Sequence, residues 1–173
     1  MRKCRLIFMI LSSFFLLTVF ACDCDTDDLS QTEAVFECEY ASFEVTIDKT
    51  LLKDMSERVK VSVTMTANEE ISKTLGTSTF GREGIIIVRL SSSGDFGGDD
   101  DLYSSNYRVK MNAALIEVTL EPGERLTSAL EFASYPFTSI SGTEKRSPAG
   151  KYKVYIGISL SEMTDTGLYV IVK

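Results

Sequence analysis

Val59-Lys60-Val61-Ser62-Val63-Thr64-Met65-Thr66 puts an apolar side chain at every second position and a polar one between. Successive side chains of an extended strand point to opposite faces, so this stretch builds one face for a core and one for water. The same period recurs outward in both directions. Phe43, Val45 and Ile47 alternate with Glu44, Thr46 and Asp48, and Ile116, Val118 and Leu120 with Glu117, Thr119 and Glu121. Val154, Ile156, Ile158 and Leu160 alternate with Lys153, Tyr155, Gly157 and Ser159, and Leu168, Val170 and Val172 share one face near the end. Ile85-Ile86-Ile87-Val88 is apolar throughout and β-branched, which suits a central strand better than a helix. Leu51 to Val59 has room for a helical turn or two and reads as a connector.

Turn residues fall where the alternation stops: Gly76, Gly81, Gly84, Glu121-Pro122-Gly123-Glu124, Ser147-Pro148-Ala149-Gly150 and Thr166-Gly167. Pro followed by Gly supplies a fixed φ and then a residue that tolerates positive φ, as a type II turn requires. Seven or eight short strands at this spacing predict an all-β chain, a two-sheet antiparallel immunoglobulin-like sandwich, with a closed barrel as the alternative.

The N-terminus differs from the rest. Arg2, Lys3 and Arg5 precede the apolar run Leu6 to Phe20, and Val19-Phe20-Ala21-Cys22 closes it. A basic start, a short apolar core and a small residue before a cleavage point make an export signal. The run is shorter than the roughly 20 apolar residues of a membrane-spanning helix. A cysteine directly after the small residue resembles the lipobox of bacterial lipoproteins, which implies acylation of Cys22 and attachment to a membrane through that lipid anchor. Ordinary signal cleavage is the competing reading, because Val19 and Ala21 also suit it. The expected organisation is a signal peptide over 1–21, an acidic lipidated tether over 22–34 and one sandwich domain over 35–173.

Removing residues 1–21 takes three cations and no acid, leaving 15 Lys+Arg against 25 Asp+Glu, a net of −10. So acidic a chain repels nucleic acid, which excludes that partner class. Five acids and no cation among residues 23–33 make a solvated tether. These acids resemble lipoprotein sorting signals of two opposed kinds, retention at the inner membrane and export to the cell surface. The expected address is therefore the bacterial envelope, with the periplasmic and outer faces both open.

Acylation of Cys22 would leave Cys24 and Cys38 as a pair in a compartment that permits disulfides. Their bridge would close a loop of about 15 residues, worth on the order of 3 kcal/mol in the chain-entropy model, and pin the tether to the start of the first strand. The alternative is two thiols on a flexible tail.

Two loops gather residues that could recognise something. Residues 91–107 hold Phe96, Tyr103 and Tyr107 together with Asp95, Asp99, Asp100 and Asp101, and residues 134–148 add Tyr135 and Phe137. Loop aromatics offer much contact area for little conformational entropy, although they also serve to cover the open ends of a sandwich. Clustered aspartates can supply calcium with oxygen ligands, but the spacing departs from an EF-hand loop and a solvated acidic loop is the plainer reading. The chain has no histidine, so no His-based nucleophile system or zinc site of ordinary type is expected, and no cofactor.

Leu120-Glu121-Pro122-Gly123-Glu124, followed by Pro148-Ala149-Gly150-Lys151-Tyr152-Lys153-Val154, resembles the penultimate strands of bacterial Ig-like modules. These include the intracellular proteinase inhibitor family and carbohydrate-associated sandwiches. The resemblance covers about 40 residues and implies a tyrosine corner at Tyr152. The functional expectation is a lipid-anchored, non-catalytic module that binds a protein or glycan through its loops. The alternative is a periplasmic proteinase inhibitor or an accessory subunit of an envelope complex.

Overall fold

A computed structural model describes residues 31–54, 56–76, 84–95, 100–105, 115–135 and 146–173. Over these residues the chain is all-β, with eleven strands and no α-helix. In chain order they are β1 (Glu33–Glu37), β2 (Ala41–Ile47), β3 (Leu51–Leu52), β4 (Val59–Ala67), β5 (Ile71–Gly76), β6 (Ile87–Ser91), β7 (Tyr103–Ser104), β8 (Leu115–Leu120), β9 (Arg125–Ala133), β10 (Gly150–Gly157) and β11 (Thr164–Val172). One sheet runs β1-β2-β4-β9-β7, a second β3-β11-β10-β6, and β5 pairs with β8 alone.

The alternating stretches become the inner faces of these sheets. Phe43, Val45 and Ile47 of β2 and Val59, Val61, Val63 and Met65 of β4 are buried, as are Tyr152, Val154 and Ile156 of β10 and Leu168, Val170 and Val172 of β11. All join one apolar cluster. Each large aliphatic or aromatic side chain fully withdrawn from water contributes about 1.5–3 kcal/mol, so period-two patterning in four strands suffices to hold the sheets together.

The β5/β8 pair continues the β4/β9 pair. Val59 faces Phe132 and Thr66 faces Arg125; beyond the turns, Ile71 faces Leu120 and Gly76 faces Leu115. The register is the same on either side, so this is one long antiparallel ribbon with a corner at 68–70 and 121–124. Glu121-Pro122-Gly123-Glu124 makes the corner: Gly123 has φ +83°, and Glu124 N donates to Glu121 O at 3.0 Å. Ile71, Val118 and Leu120 stay in the core.

Several expectations need correction. β3, expected as part of a connector, is a short strand lying parallel to β11. Ile85-Ile86-Ile87-Val88 is not a central strand: β6 begins only at Ile87 and lies at the edge of its sheet, while Ile85 and Ile86 are buried ahead of it. Alternation through Leu160 stops at Gly157. A Cβ there would sit 2.8 Å from the Glu162 carbonyl, because the 3-10 turn Leu160–Glu162 packs on the glycine and leaves Leu160 exposed.

Thr166-Gly167 is no chain reversal but an irregularity inside β11, opposite Val154, where the register slips. Gly167 takes φ +77°, and the Thr166 hydroxyl stands in for the backbone ladder. It donates to Val154 O at 2.9 Å and accepts from Leu168 N at 3.2 Å. A positive-φ glycine marks a bulge as readily as a turn.

β1 starts at Glu33, two residues before the expected boundary. Cys38 lies just past the end of β1, not at its start, so the tether could not be pinned where expected through that residue. Cys24 is outside the described residues, and Cys38 is buried.

Candidate functional site

The strands give the domain two ends. At one, β2 finishes at Ile47, β4 starts at Val59, β9 finishes at Ala133, β10 starts at Gly150 and β11 finishes at Val172. The bases of both aromatic loops meet here. At the other end lie the turns 38–40, 68–70 and 121–124, joined by Asn68 N donating to Tyr40 O at 2.9 Å and Ala67 N to Glu124 O at 3.0 Å.

The segment 100–104 crosses between the sheets at the loop end. Ser92 N donates to Asp100 O at 3.0 Å and Leu102 N to Leu90 O at 2.9 Å, which lines the edge of β6. Directly after Leu102, Tyr103 and Ser104 pair with Ala133 and Phe132 of β9 in the other sheet. One short stretch thus borders both sheets.

The second loop is pinned to the same place. Ser147 N donates to Ser134 O at 2.8 Å and closes the loop's base. The Ser147 hydroxyl donates to Asp101 O at 2.9 Å and ties it to the first loop. Ser91, Ser134 and Ser147 are all buried, three of the five buried polar side chains among the described residues. The Asp101 side chain, 9% exposed, sits 3.7 Å from the Arg89 guanidinium. Ser91 Oγ accepts from Gly94 N at 3.3 Å. Gly94 itself, at φ +83°, approaches Tyr155 so closely that a Cβ would lie 3.2 Å from the phenol oxygen.

Tyr152 anchors the same end from below. Its ring is fully buried and its hydroxyl donates to Pro148 O at 2.6 Å, four residues back. This bond closes the turn ahead of β10. Burial, followed by the nearby charges of Asp100 and Asp101, pushes the phenol up to about 12.

Of the residues singled out by sequence, Cys38, Tyr103, Tyr135, Asp95, Asp100 and Asp101 are described. Tyr103 and Tyr135 are half-buried and flank Ala133 in space and in sequence, whereas Asp95 and Asp100 are exposed. Phe96, Asp99, Tyr107, Phe137, Cys22 and Cys24 lie outside the described residues. Among the described residues no group of three or more acidic or cysteine side chains is placed to hold a metal ion. The Asp101 carboxylate faces Arg89, and Asp100 contributes its carbonyl to a loop bond, so both have structural work at this junction. Sequence reading missed Arg89, Ser91, Ser134 and Ser147. The only signal was Ser147-Pro148, legible as a turn but not as a tie between loops.

No protein-family model and no curated protein matches the chain. Among solved structures it is similar to a mutant β-glucosidase from Listeria innocua in complex with laminaribiose, at 19% identity and a TM-score of 0.41, covering 80% of this chain and 17% of that one. It is similar also to a β-glucosidase from Erythrobacter marinus, at 15% identity and a TM-score of 0.42, covering 77% of this chain and 16% of that one. The chain spans less than a fifth of the length of either, and likeness of this degree says nothing of what it does.

Proposed function

We propose that the chain is a lipid-anchored, non-catalytic binding module of the bacterial envelope, built on an immunoglobulin-like sandwich and engaging a protein or glycan through the loops at one end. The observation that carries this reading is the convergence of the two loop bases through Ser147 and Asp101, with Tyr103 and Tyr135 at their edge. Sequence alone left open whether these loops share an end. A recognition surface made of loops needs a rigid base, and the buried hydroxyls and the Tyr152–Pro148 bond supply one. The Tyr152–Pro148 bond, the kind a tyrosine corner makes, and the single core beneath several antiparallel sheets support the immunoglobulin-like form. The lipid anchor rests on Ala21-Cys22 after the apolar run and on the acidic stretch that follows.

Two measurements test it. Incorporation of labelled palmitate that persists in the native chain and vanishes in Cys22→Ser supports the anchor; equal labelling of both, or none, ends it. A photo-crosslinking amino acid at Tyr103 or at Tyr135 should trap the same discrete partner, while one at Thr64 on the outer sheet face should not. A partner trapped from Thr64 alone would move recognition to the sheet face.

A further inference from the structure

We infer that the loop end faces the lipid surface, with the three-turn end pointing away from it; the inference rests on the lipid anchor proposed above.

The first ground is where the described chain starts. Thr32 O accepts from Ile47 N at 2.9 Å and Glu33 faces Thr46, so β1 begins at the loop end and runs away from it. Whatever precedes Gln31 reaches the domain there. From Cys22 to Gln31 the chain spans at most roughly 30–35 Å at about 3.4 Å per residue. The nine residues of β4 already span roughly 30 Å at the usual strand rise. An inverted domain would need nearly the whole contour length of this stretch to clear its height, whereas the upright arrangement needs little of it.

The second ground is charge and is independent of the first. At the loop end the cations Lys49, Lys53, Arg58, Lys60, Arg146 and Lys173 are interspersed with that end's acids. Arg58 pairs with Glu131 at 3.2 Å. At the far end the turns 38–40, 68–70 and 121–124 comprise ten residues, of which five are glutamate (Glu39, Glu69, Glu70, Glu121 and Glu124) and none is a cation, and Arg125, the cation directly after them, is paired with Glu44 at 3.3 Å. A bacterial leaflet rich in anionic headgroups repels the glutamate end and tolerates the mixed one. The repulsion decays over a Debye length of about 8 Å at physiological salt, so it acts only on the end that is down. Tether length and charge favour the same orientation. The described bases of the two loops, tied together by Ser147 and Asp101, then lie on the membrane side.

The test uses the full lipidated chain reconstituted into vesicles of phosphatidylcholine and phosphatidylglycerol that carry a headgroup-attached quencher. A fluorescent amino acid replaces either Lys53 or Glu69, both exposed, at opposite ends. The expected result is several-fold stronger quenching at position 53 than at 69. Equal quenching means the domain tumbles on its tether and overturns the inference while the anchor stands. Stronger quenching at 69 means an inverted domain, the arrangement a Cys24–Cys38 bridge would impose because Cys38 lies at the far end, and overturns it too. Failure of the chain to float with the vesicles at all removes the anchor reading and this one with it.

Discussion

The two ends of the domain are closed by different means. The three-turn end is held largely by backbone bonds. Cys38 N reaches Ala41 O, Glu124 N reaches Glu121 O, and Gly123 N reaches Ala67 O. Under them an aromatic group packs, with the Phe36 and Phe43 rings stacked at 5.0 Å and Tyr40 edge-on to Phe43 at 6.3 Å. The loop end is held by side chains that reach backbone: Ser147 to Asp101, Ser92 to Asp100, Tyr152 to Pro148. Turns make the first end a corner of the sheet itself. At the second, side-chain ties join the bases of two longer connections, and such ties can be cut one at a time without unfolding the strands below.

The comparison breaks most visibly at Phe43. Phe43→Ala should cost about 3–5 kcal/mol in urea unfolding, since a fully buried ring with two aromatic neighbours is lost. A cost below about 1.5 kcal/mol would mean the aromatic group does not hold that end. Gly123→Ala comes next. Nothing lies within 4 Å of the added methyl, so its price is the left-handed backbone alone, φ +83°, about 1–2 kcal/mol.

At the loop end the effects are smaller and coupled. Tyr152→Phe and Ser147→Ala should each cost about 1 kcal/mol, the usual loss for one buried hydrogen bond. Together they should cost less than their sum, because Pro148 and Ser147 are adjacent in one network. Strict additivity would show that the ties act separately. Tyr152→Phe also carries a pH signature. The folded chain holds the phenol proton up to about 12 against 10.0 for the free group, so the native stability is intact below pH 10 and falls as pH rises toward 12. Unfolding curves of the phenylalanine variant should lack that fall. Smallest of all, Arg58→Ala should change stability by less than about 0.5 kcal/mol, since Arg58 and Glu131 are 53% and 49% exposed.

The same contrast explains what could be read in advance. The inner faces of β2, β4, β10 and β11 were legible because alternation is written in neighbouring residues. The Pro122-Gly123 turn was legible too, because its φ angles belong to the turn residues themselves. Tyr152 was legible through the local Pro-x-Gly-x-Tyr spacing. The misreadings have local causes as well: Gly167 announced a positive φ, and a bulge satisfies that as fully as a reversal. Ile85 and Ile86 announced burial, and packing ahead of an edge strand satisfies that as fully as a central one. Ser147, Ser134 and Arg89 announced nothing, since a serine or arginine becomes a tie only when a particular partner is brought to it.

By itself, then, the amino-acid order determined that the chain forms strands, which face of β2, β4, β10 and β11 turns inward and that Gly123 and Gly167 bend or bulge the backbone. Tertiary structure alone decided that β3 lies parallel to β11, that β5 and β8 prolong the β4/β9 ribbon, and that residues 101 and 147 meet. The reason is range: side-chain alternation and φ preference are settled within a few residues, whereas strand partners and loop contacts depend on segments tens of residues apart, whose pairing is chosen by the burial of the whole core.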